Sequence, residues 1–261
     1  MVHKTDYHIH STFSDGRSLP EEYIRRATDA GIKEIGFSDH LTLFRDKEAW
    51  NMDPELIMTY INHLENLRQK TNNISIKIGL EVDYFEGKEQ ETRQFLKKLP
   101  LDYIIGSVHY QGEKTVDLGP EFYEGKDLDL IFRNYFDTVI AAASSGLFDI
   151  IGHCDLIRIY GYKPLTDPGP LYRKLARAMK KHDVVFEINT NGRNRPIADF
   201  YPDRKYLHIF MEEKVPVCVN SDAHMPRRVG QYFDEAYDLL RFTGFNEMAV
   251  FNKRKRTMVP F

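Results

Sequence analysis

The sequence predicts an α/β fold in which seven strand–helix units close into a barrel within a single domain. Three observations carry this. Seven short apolar runs recur along the 261 residues, a helix-like segment separates each from the next, and no linker, repeat or low-complexity stretch interrupts them. Strands alternating with helices build parallel sheets, because a parallel neighbour is reached only through a crossover. A closed barrel of such units commonly fills about 250 residues.

The strands are expected over Asp6 to Ile9, Glu34 to Phe37, Ser75 to Val82, Tyr103 to Val108, Asp149 to Ile151, Val184 to Ile188 and Val215 to Val219. The first helix opens at Ser18-Leu19-Pro20-Glu21, read as a capping box with Ser18 as N-cap and Glu21 at the third position. Asp53-Pro54 opens the second, with proline at the first helical position. Gly31 closes the first helix and Gly146 the one that starts near Asp127. Leu171, Leu175, Ala178 and Met179 repeat at helical spacing in another. Three long loops follow strand ends: Leu41 to Asn51, Tyr110 to Lys126 and Arg158 to Pro168. In a β/α barrel these loops surround the active site, which makes them candidates for a substrate lid.

Apolar residues make up 42% of the chain, enough for a packed core. The net charge is -3 and no basic stretch lies within the predicted barrel, which speaks against nucleic acid as a partner. The basic tail Lys253-Arg254-Lys255-Arg256 reads as a solvated end. No run approaches the roughly 18 apolar residues of a membrane span, and the first residues lack the apolar core of a signal peptide. Cys154 and Cys218 sit inside apolar runs, as buried free thiols of a reducing compartment do. The expectation is a soluble cytoplasmic protein that acts on a small molecule.

Six of the ten histidines fall at or just past predicted strand ends: His8, His10, His40, His109, His153 and His224. Asp15, Asp39, Glu81, Asp83, Asp155 and Asp222 occupy the same places. The recurring spacing is i, i+2, in His8-x-His10, Glu81-x-Asp83, His153-x-Asp155 and Asp222-x-His224. Alternate residues of a strand share a face, so each pair can aim both side chains into one cavity. One histidine at a strand end is commonly an ordinary hydrogen-bonded residue. Six of them on five strand ends would leave many buried polar groups to satisfy unless they bind metal. His3, His63, His182 and His208 fall on the tail or on helix-like segments and read as surface or structural. A mixed nitrogen and oxygen donor set without thiolate suits Zn, Mn or Fe, and disfavours a Cys-type structural zinc site. There are more donors than one ion can use, which implies two or three ions with a carboxylate such as Glu81 bridging two of them.

These residues form an ordered series of motifs that resembles the PHP (polymerase and histidinol phosphatase) family. The motifs are His8-Ile9-His10-Ser11 with Ser14-Asp15-Gly16, Phe37-Ser38-Asp39-His40, Gly79-Leu80-Glu81, Gly106-Ser107-Val108-His109, Gly152-His153-Cys154-Asp155 and Asn220-Ser221-Asp222-Ala223-His224. The resemblance implies a distorted (β/α)7, TIM-like barrel and a trinuclear metal centre. Carried over residue by residue, it implies one metal held by His8, His10, Glu81 and Asp222. It implies a second held by Glu81, His109 and His153, and a third held by Asp15, His40 and His224. Within the family the pattern looks most like the branch that hydrolyses L-histidinol phosphate. That likeness lies in Ser14-Asp15-Gly16, in His153-Cys154-Asp155-Leu156-Ile157-Arg158, and in Phe186-Glu187-Ile188-Asn189-Thr190 with arginines just after it.

The implied activity is a metal-dependent phosphomonoesterase of histidine biosynthesis, releasing L-histidinol and phosphate by attack of a metal-bridging hydroxide, with no protein nucleophile. Three divalent ions set against three carboxylates and one hydroxide leave a positive centre to face a phosphate dianion. Planar guanidinium forks suit phosphate. Arg158, Arg193 and Arg195 lie just past the fifth and sixth strands, and the resemblance favours Arg158 and Arg195. The loop Tyr110 to Lys126 offers Glu113, Asp117, Phe122 and Tyr123 to the amine and imidazole of histidinol. Asp39, Asp83 and Asp155 are read as groups that orient the ligand imidazoles. The competing readings are the same site acting on a nucleotide or sugar phosphate, a nuclease, and a non-catalytic metal-binding module.

Overall fold

Period-two alternation decides what each strand offers to the inside of the barrel. The computed structural model describes residues 3–45 and 48–261. Positions 46 and 47 of the expected loop Leu41 to Asn51 lie outside the described residues. The strands are β1 (Thr5–Asp6), β2 (Glu34–Phe37), β3 (Ser75–Asp83), β4 (Tyr103–Ser107), β5 (Ile150–Ile151), β6 (Val185–Asn189) and β7 (Val217–Asn220). Each pairs in parallel with its neighbour in sequence order. A two-residue strand, His40–Leu41, continues the line of β2 and pairs with Glu81 and Val82 of β3. The seven expected runs are therefore the seven barrel strands, and the distorted (β/α)7 barrel is the observed architecture.

The distortion lies at closure. β1 and β7 share no ladder. Instead, the chain just beyond β1 bonds to the chain just beyond β7: His10 N donates to Ala223 O at 3.0 Å and Ala223 N to His8 O at 3.1 Å. The Asn220 side-chain oxygen accepts from Tyr7 N at 2.9 Å. The seam of the barrel is thus made by backbone that carries His8, His10 and the Asp222 to His224 segment.

Among the described residues seven helices follow the strands: α1 (Pro20–Asp29), α2 (Ile57–Lys70), α3 (Glu89–Leu96), α4 (Leu128–Ser144), α5 (Gly169–Lys181), α6 (Leu207–Glu212) and α7 (Phe233–Thr243). The expected capping box is displaced. α1 begins at Pro20, with Leu19 as an extended N-cap that makes no side-chain cap bond. Proline disfavours helical backbone in the residue before it, so Leu19 stays outside and Pro20 takes the first helical position. Asp53 caps a 3-10 turn, Pro54–Leu56, that leads into α2, and Asp127 caps α4 by accepting from Leu130 N. Gly31 and Gly146 adopt left-handed backbone just past α1 and α4, as expected. In α5 the buried face is Tyr172, Leu175, Ala176 and Met179.

The inward faces change character along the barrel axis. On β4, Tyr103 and Ile105 join an apolar cluster with Ile150, Val185 and Cys218. Two residues further along the same faces come Ser107, Glu187 and Asn220, all buried and polar. The bottom of the barrel is closed by an antiparallel hairpin, β8 (Glu247–Asn252) and β9 (Lys255–Pro260), whose Ala249 and Phe251 pack into that apolar cluster. Sequence reading missed this hairpin and took its basic residues for a solvated end. Arg254 pairs with Asp149 at 2.8 Å and Arg256 with Asp183 at 2.7 Å, and both acids precede barrel strands. Cys154 and Cys218 are buried and free. Among the described residues no helix is long and apolar enough to cross a membrane.

Candidate metal centre

Glu81 reaches the barrel axis from near the end of β3 and is almost wholly buried. Five imidazoles surround its carboxylate. Oε2 lies 2.8 Å from His40 Nδ1, 3.2 Å from His8 Nε2 and 3.5 Å from His10 Nε2. Oε1 lies 2.9 Å from His153 Nε2 and 3.8 Å from His109 Nε2, and accepts from Ser107 Oγ at 2.6 Å. Asp222 faces the same group from the opposite side. Its Oδ1 is 3.4 Å from His10 Nε2, 3.4 Å from His224 Nδ1 and 3.9 Å from His8 Nε2. Asp15 stands at the outer edge, 3.3 Å from His224 Nε2, 3.8 Å from His40 Nε2 and 4.0 Å from His10 Nδ1.

These donors form four overlapping clusters whose ligand atoms lie within 4.8 Å of one another. They are His10, Asp15, His40 and His224; His8, Glu81 and His153; His8, His10 and Asp222; and His40, Glu81 and His109. The nine residues named from the sequence are all brought together, and among the described residues no tenth joins them. The fit to metal ions shows in what the protein leaves unpaired. His8 Nε2, both ring nitrogens of His10, Glu81 Oε2 and His153 Nδ1 are buried without a hydrogen-bond partner among the described residues. Orphaned buried polar atoms are costly, and a cation removes the cost at those that face the centre, such as His8 Nε2, His10 Nε2 and Glu81 Oε2.

The proton economy of the cluster agrees. Burial pushes the His10 imidazole down to about 3, helped by His40 and His224, so it stays neutral, as a metal ligand must. Burial works against charge on Glu81 too, but His8 and His40 outweigh it and hold the carboxyl well below its ordinary range. His109 is opposed by burial yet raised to about 10 through Asp83. Protons shared in this way between imidazoles and carboxylates are what an arriving cation displaces.

Local sequence explains how each donor is held. Gly16 lets the turn after β1 lie against its own strand, since a Cβ there would stand 2.0 Å from His10 O. Asp39 pins the same turn by accepting from the backbone and hydroxyls of Ser11 and Ser14, at 2.7 to 3.1 Å. That turn presents Asp15. Asp222 sits in left-handed backbone, φ 49, and its Oδ2 accepts from Asn189 and Asn191 side chains at 3.2 and 3.3 Å, leaving Oδ1 to the imidazoles. Asp83 accepts from His109 Nδ1 at 2.8 Å, as expected for a group that orients an imidazole. The expectation fails for the other two aspartates. Asp39 holds the turn instead, and Asp155 binds Arg158, Tyr172 and the backbone of Asp203.

Glu187 does what had been expected of them, and sequence reading missed it. Its carboxylate accepts from His8 Nδ1 at 3.0 Å, His153 N at 2.8 Å, and the Asn189 and Asn220 side chains at 2.8 Å each. The signal was the alternation Glu187-x-Asn189 on β6, the same i, i+2 spacing that marked the ligands.

A cavity of about 230 Å³ opens above the centre. All three long loops reach it, through Trp50, through Thr115, Asp117 and Leu118, and through Ile159. Trp50 packs edge-on to His40 and His109, with ring centroids 4.9 and 5.7 Å away. Arg195 lies on the wall and makes no hydrogen bond or ion pair through its side chain among the described residues. The other two expected arginines are placed elsewhere. Arg158 is buried outside this wall, paired with Asp155 at 2.8 Å, Asp203 at 3.3 Å and Asp199 at 3.4 Å. Arg193 donates to Ala198 O at 2.9 Å, pairs with Glu235 at 3.4 Å and lies over Phe200 and Tyr232. Of the loop residues suggested for histidinol, only Asp117 reaches the cavity wall. Glu113 pairs with Arg45, and Phe122 and Tyr123 are buried in the core.

A (β/α)7 barrel with this donor set at the C-terminal ends of its strands defines a barrel of the metal-binding hydrolase type. The chain belongs to the PHP domain family, whose profile matches residues 6–191. It is 35% identical to a probable histidinol-phosphatase of Deinococcus radiodurans, over 98% of this chain and 99% of that protein. It is 30% identical to a histidinol-phosphatase of Lactococcus lactis, over 97% and 96% of the two chains. The crystal structure of histidinol phosphate phosphatase from Lactococcus lactis, complexed with Zn, L-histidinol and phosphate, superposes with a TM-score of 0.84 at 27% identity, covering 98% of this chain and all of that one.

Proposed function

We propose that the protein is a metal-dependent phosphomonoesterase that hydrolyses L-histidinol phosphate to L-histidinol and phosphate. The observation that carries the reading is the ring of imidazoles around Glu81, opening into a cavity whose wall holds the unpaired Arg195. The near full-length similarity to histidinol-phosphatases supports the substrate. His8, His10, Glu81 and Asp222 would hold one divalent ion, Glu81, His109 and His153 a second, and Asp15, His40 and His224 a third. Such ions supply Lewis acidity and an activated water at neutral pH.

The chain's own residues do the rest. Glu187 and Asp83 fix His8 and His109 through their Nδ1 atoms, so the Nε2 atoms face the centre. Asn189 and Asn191 turn Asp222 so that one oxygen points inward. Arg195 offers a guanidinium fork to the phosphoryl oxygens, and needs to break no ion pair to do so. Elsewhere on the cavity wall, Trp50, Leu118 and Ile159 present apolar surface and Asp117 a polar group, which suits an organic leaving group that carries a positive charge. The two buried free thiols fit a reducing compartment, and we place the activity in the cytoplasm.

The test is phosphate release from L-histidinol phosphate against nucleotide and sugar monophosphates, with and without chelator. The expected result is a kcat/KM at least about tenfold above the others, abolished by chelation. Equal values across the panel would move the assignment to a general phosphomonoesterase. Digestion of single-stranded DNA in place of phosphate release would move it to a nuclease.

A further inference from the structure

Of the four arginines that feel one another's charge beside the cavity, only Arg195 lies on its wall; Arg228, after β7, reaches the wall through Asn191, and Arg227, after β7, and Arg17, after β1, stand behind them. None of the four is paired with a carboxylate among the described residues. Arg158, Arg173, Arg204 and Arg254 each lie within 3 Å of an acid, while the exposed Arg25, Arg26 and Arg133 share the lack of one but not the partial burial of Arg228. Arg228 is half-buried, and its guanidinium makes one long hydrogen bond, 3.4 Å to the Asn191 side-chain oxygen. Among the described residues the Arg227 side chain bonds only the sulfur of Met225. Arg17 donates its backbone N–H to His224 O, which ties its backbone beside the cluster of His10, Asp15, His40 and His224. The four cations belong to three adjacent loops, those after β6, β7 and β1.

A half-buried guanidinium among like charges is held in an unfavourable place. Burial and the nearby Arg195, Arg227 and Arg17 all push the Arg228 pKa down, and Asp222 is the one acid that opposes them. Asp222 is already committed to Asn189, Asn191 and the imidazoles. Clusters of this kind become favourable when an anion sits between the guanidiniums, because each N–H then donates to a charged acceptor.

We propose that Arg195 and Arg228 form a two-guanidinium anion site at the mouth of the cavity, built for the phosphate dianion, with Arg17 and Arg227 as outer cations. The inference rests on the phosphomonoesterase reading and adds to it a residue and a direction. Arg228, not the internally paired Arg158, is the second arginine of the phosphate site. The substrate lies with its phosphate toward the loops after β6, β7 and β1. The outer cations also raise the local concentration of anions, an effect that salt screens.

Arg228→Ala and Arg228→Lys test this in the metal-loaded protein, with inorganic phosphate as the probe in calorimetric titrations and metal content measured alongside. The Ala variant is expected to weaken phosphate binding by about tenfold or more, as loss of one charge-assisted contact implies. The Lys variant should recover part of that loss, and KM for L-histidinol phosphate should rise in parallel. In the parent, phosphate affinity should fall with added salt, less steeply in Arg227→Ala. Unchanged phosphate affinity in a metal-replete Arg228→Ala protein overturns the proposal. Should the Ala variant fail to fold, Arg228→Lys decides alone, and a phosphate affinity equal to the parent's overturns the proposal in the same way. Weakened phosphate binding in a protein that hydrolyses no monoester leaves the anion site standing and removes the phosphatase reading instead.

Discussion

Glu187 does not line the cavity above the centre, yet hydrogen bonds from four groups converge on its carboxylate and two of them come from the metal-site residues His8 and His153. Removing its charge leaves the shape of the core nearly intact while loosening the His8 ring. Glu187→Gln is therefore expected to weaken metal affinity by about 10- to 100-fold, the usual consequence of losing a hydrogen bond behind a ligand. Competition against a metal-sensitive dye would measure it, and parental affinity would show that Glu187 only fills space. At this scale the nine donors were legible because i, i+2 spacing survives translation from sequence to strand. Glu187 shares that spacing with Asn189, but its place beneath the ligands depends on which face of β6 turns inward. Arg158 misled for a different reason. A sequence displays a guanidinium near a strand end, but not the Asp199 and Asp203 carboxylates that fold back to hold it.

The hairpin β8–β9 is the element that sequence reading lacked. Its turn residues Lys253 and Arg254 have φ of 48 and 61, left-handed backbone usually left to Gly or Asn in a two-residue turn. No Asn-Gly signal exists to find. The conformation is held from outside: Lys253 N donates to the Asp102 side chain at 3.1 Å and Arg254 N to Asp102 O at 2.8 Å. Phe251 then closes the bottom of the barrel against Tyr7 and Tyr103, with ring centroids 6.0 and 6.3 Å apart. Phe251→Ala should cost about 3 kcal/mol or more in unfolding free energy, through lost burial and the cavity left behind. Denaturant titration measures this, and metal content should hold, because the plug lies at the end of the barrel opposite the ligands. A variant as stable as the parent would mean that the hairpin is an appendage. The displaced start of α1 has a comparable lesson: the Ser18 to Glu21 pattern was real, but Pro20 restricts Leu19 more strongly than a cap bond attracts Ser18.

For the molecule as a whole, strand count and order were legible because seven apolar runs with intervening helices leave few other topologies. The imperfect closure was not, since it consists of backbone bonds between Ala223 and the chain at His8 and His10, which no side-chain pattern encodes. The same seam gathers buried donors that lack partners of their own, so metal should stabilise the entire fold. Each ion present at a thousandfold its dissociation constant adds about 4 kcal/mol, provided that the unfolded chain does not bind it. Calorimetry before and after chelation should show a lower Tm that recovers when Zn is returned. An unaltered Tm would mean that the donors hold no ion in the native protein.

The seam also sets a timetable. The chelating set opens at the eighth residue and is completed only at the two-hundred-and-twenty-fourth, where the last imidazole docks against that of His10. A growing chain leaving the ribosome can bring His8, His40, Glu81, His109 and His153 together first, but the clusters that contain Asp222 or His224 wait for the final join. Cofactor capture at those clusters is thus bound to that join, and a polypeptide cut short before it carries most of the barrel but only part of the places to load.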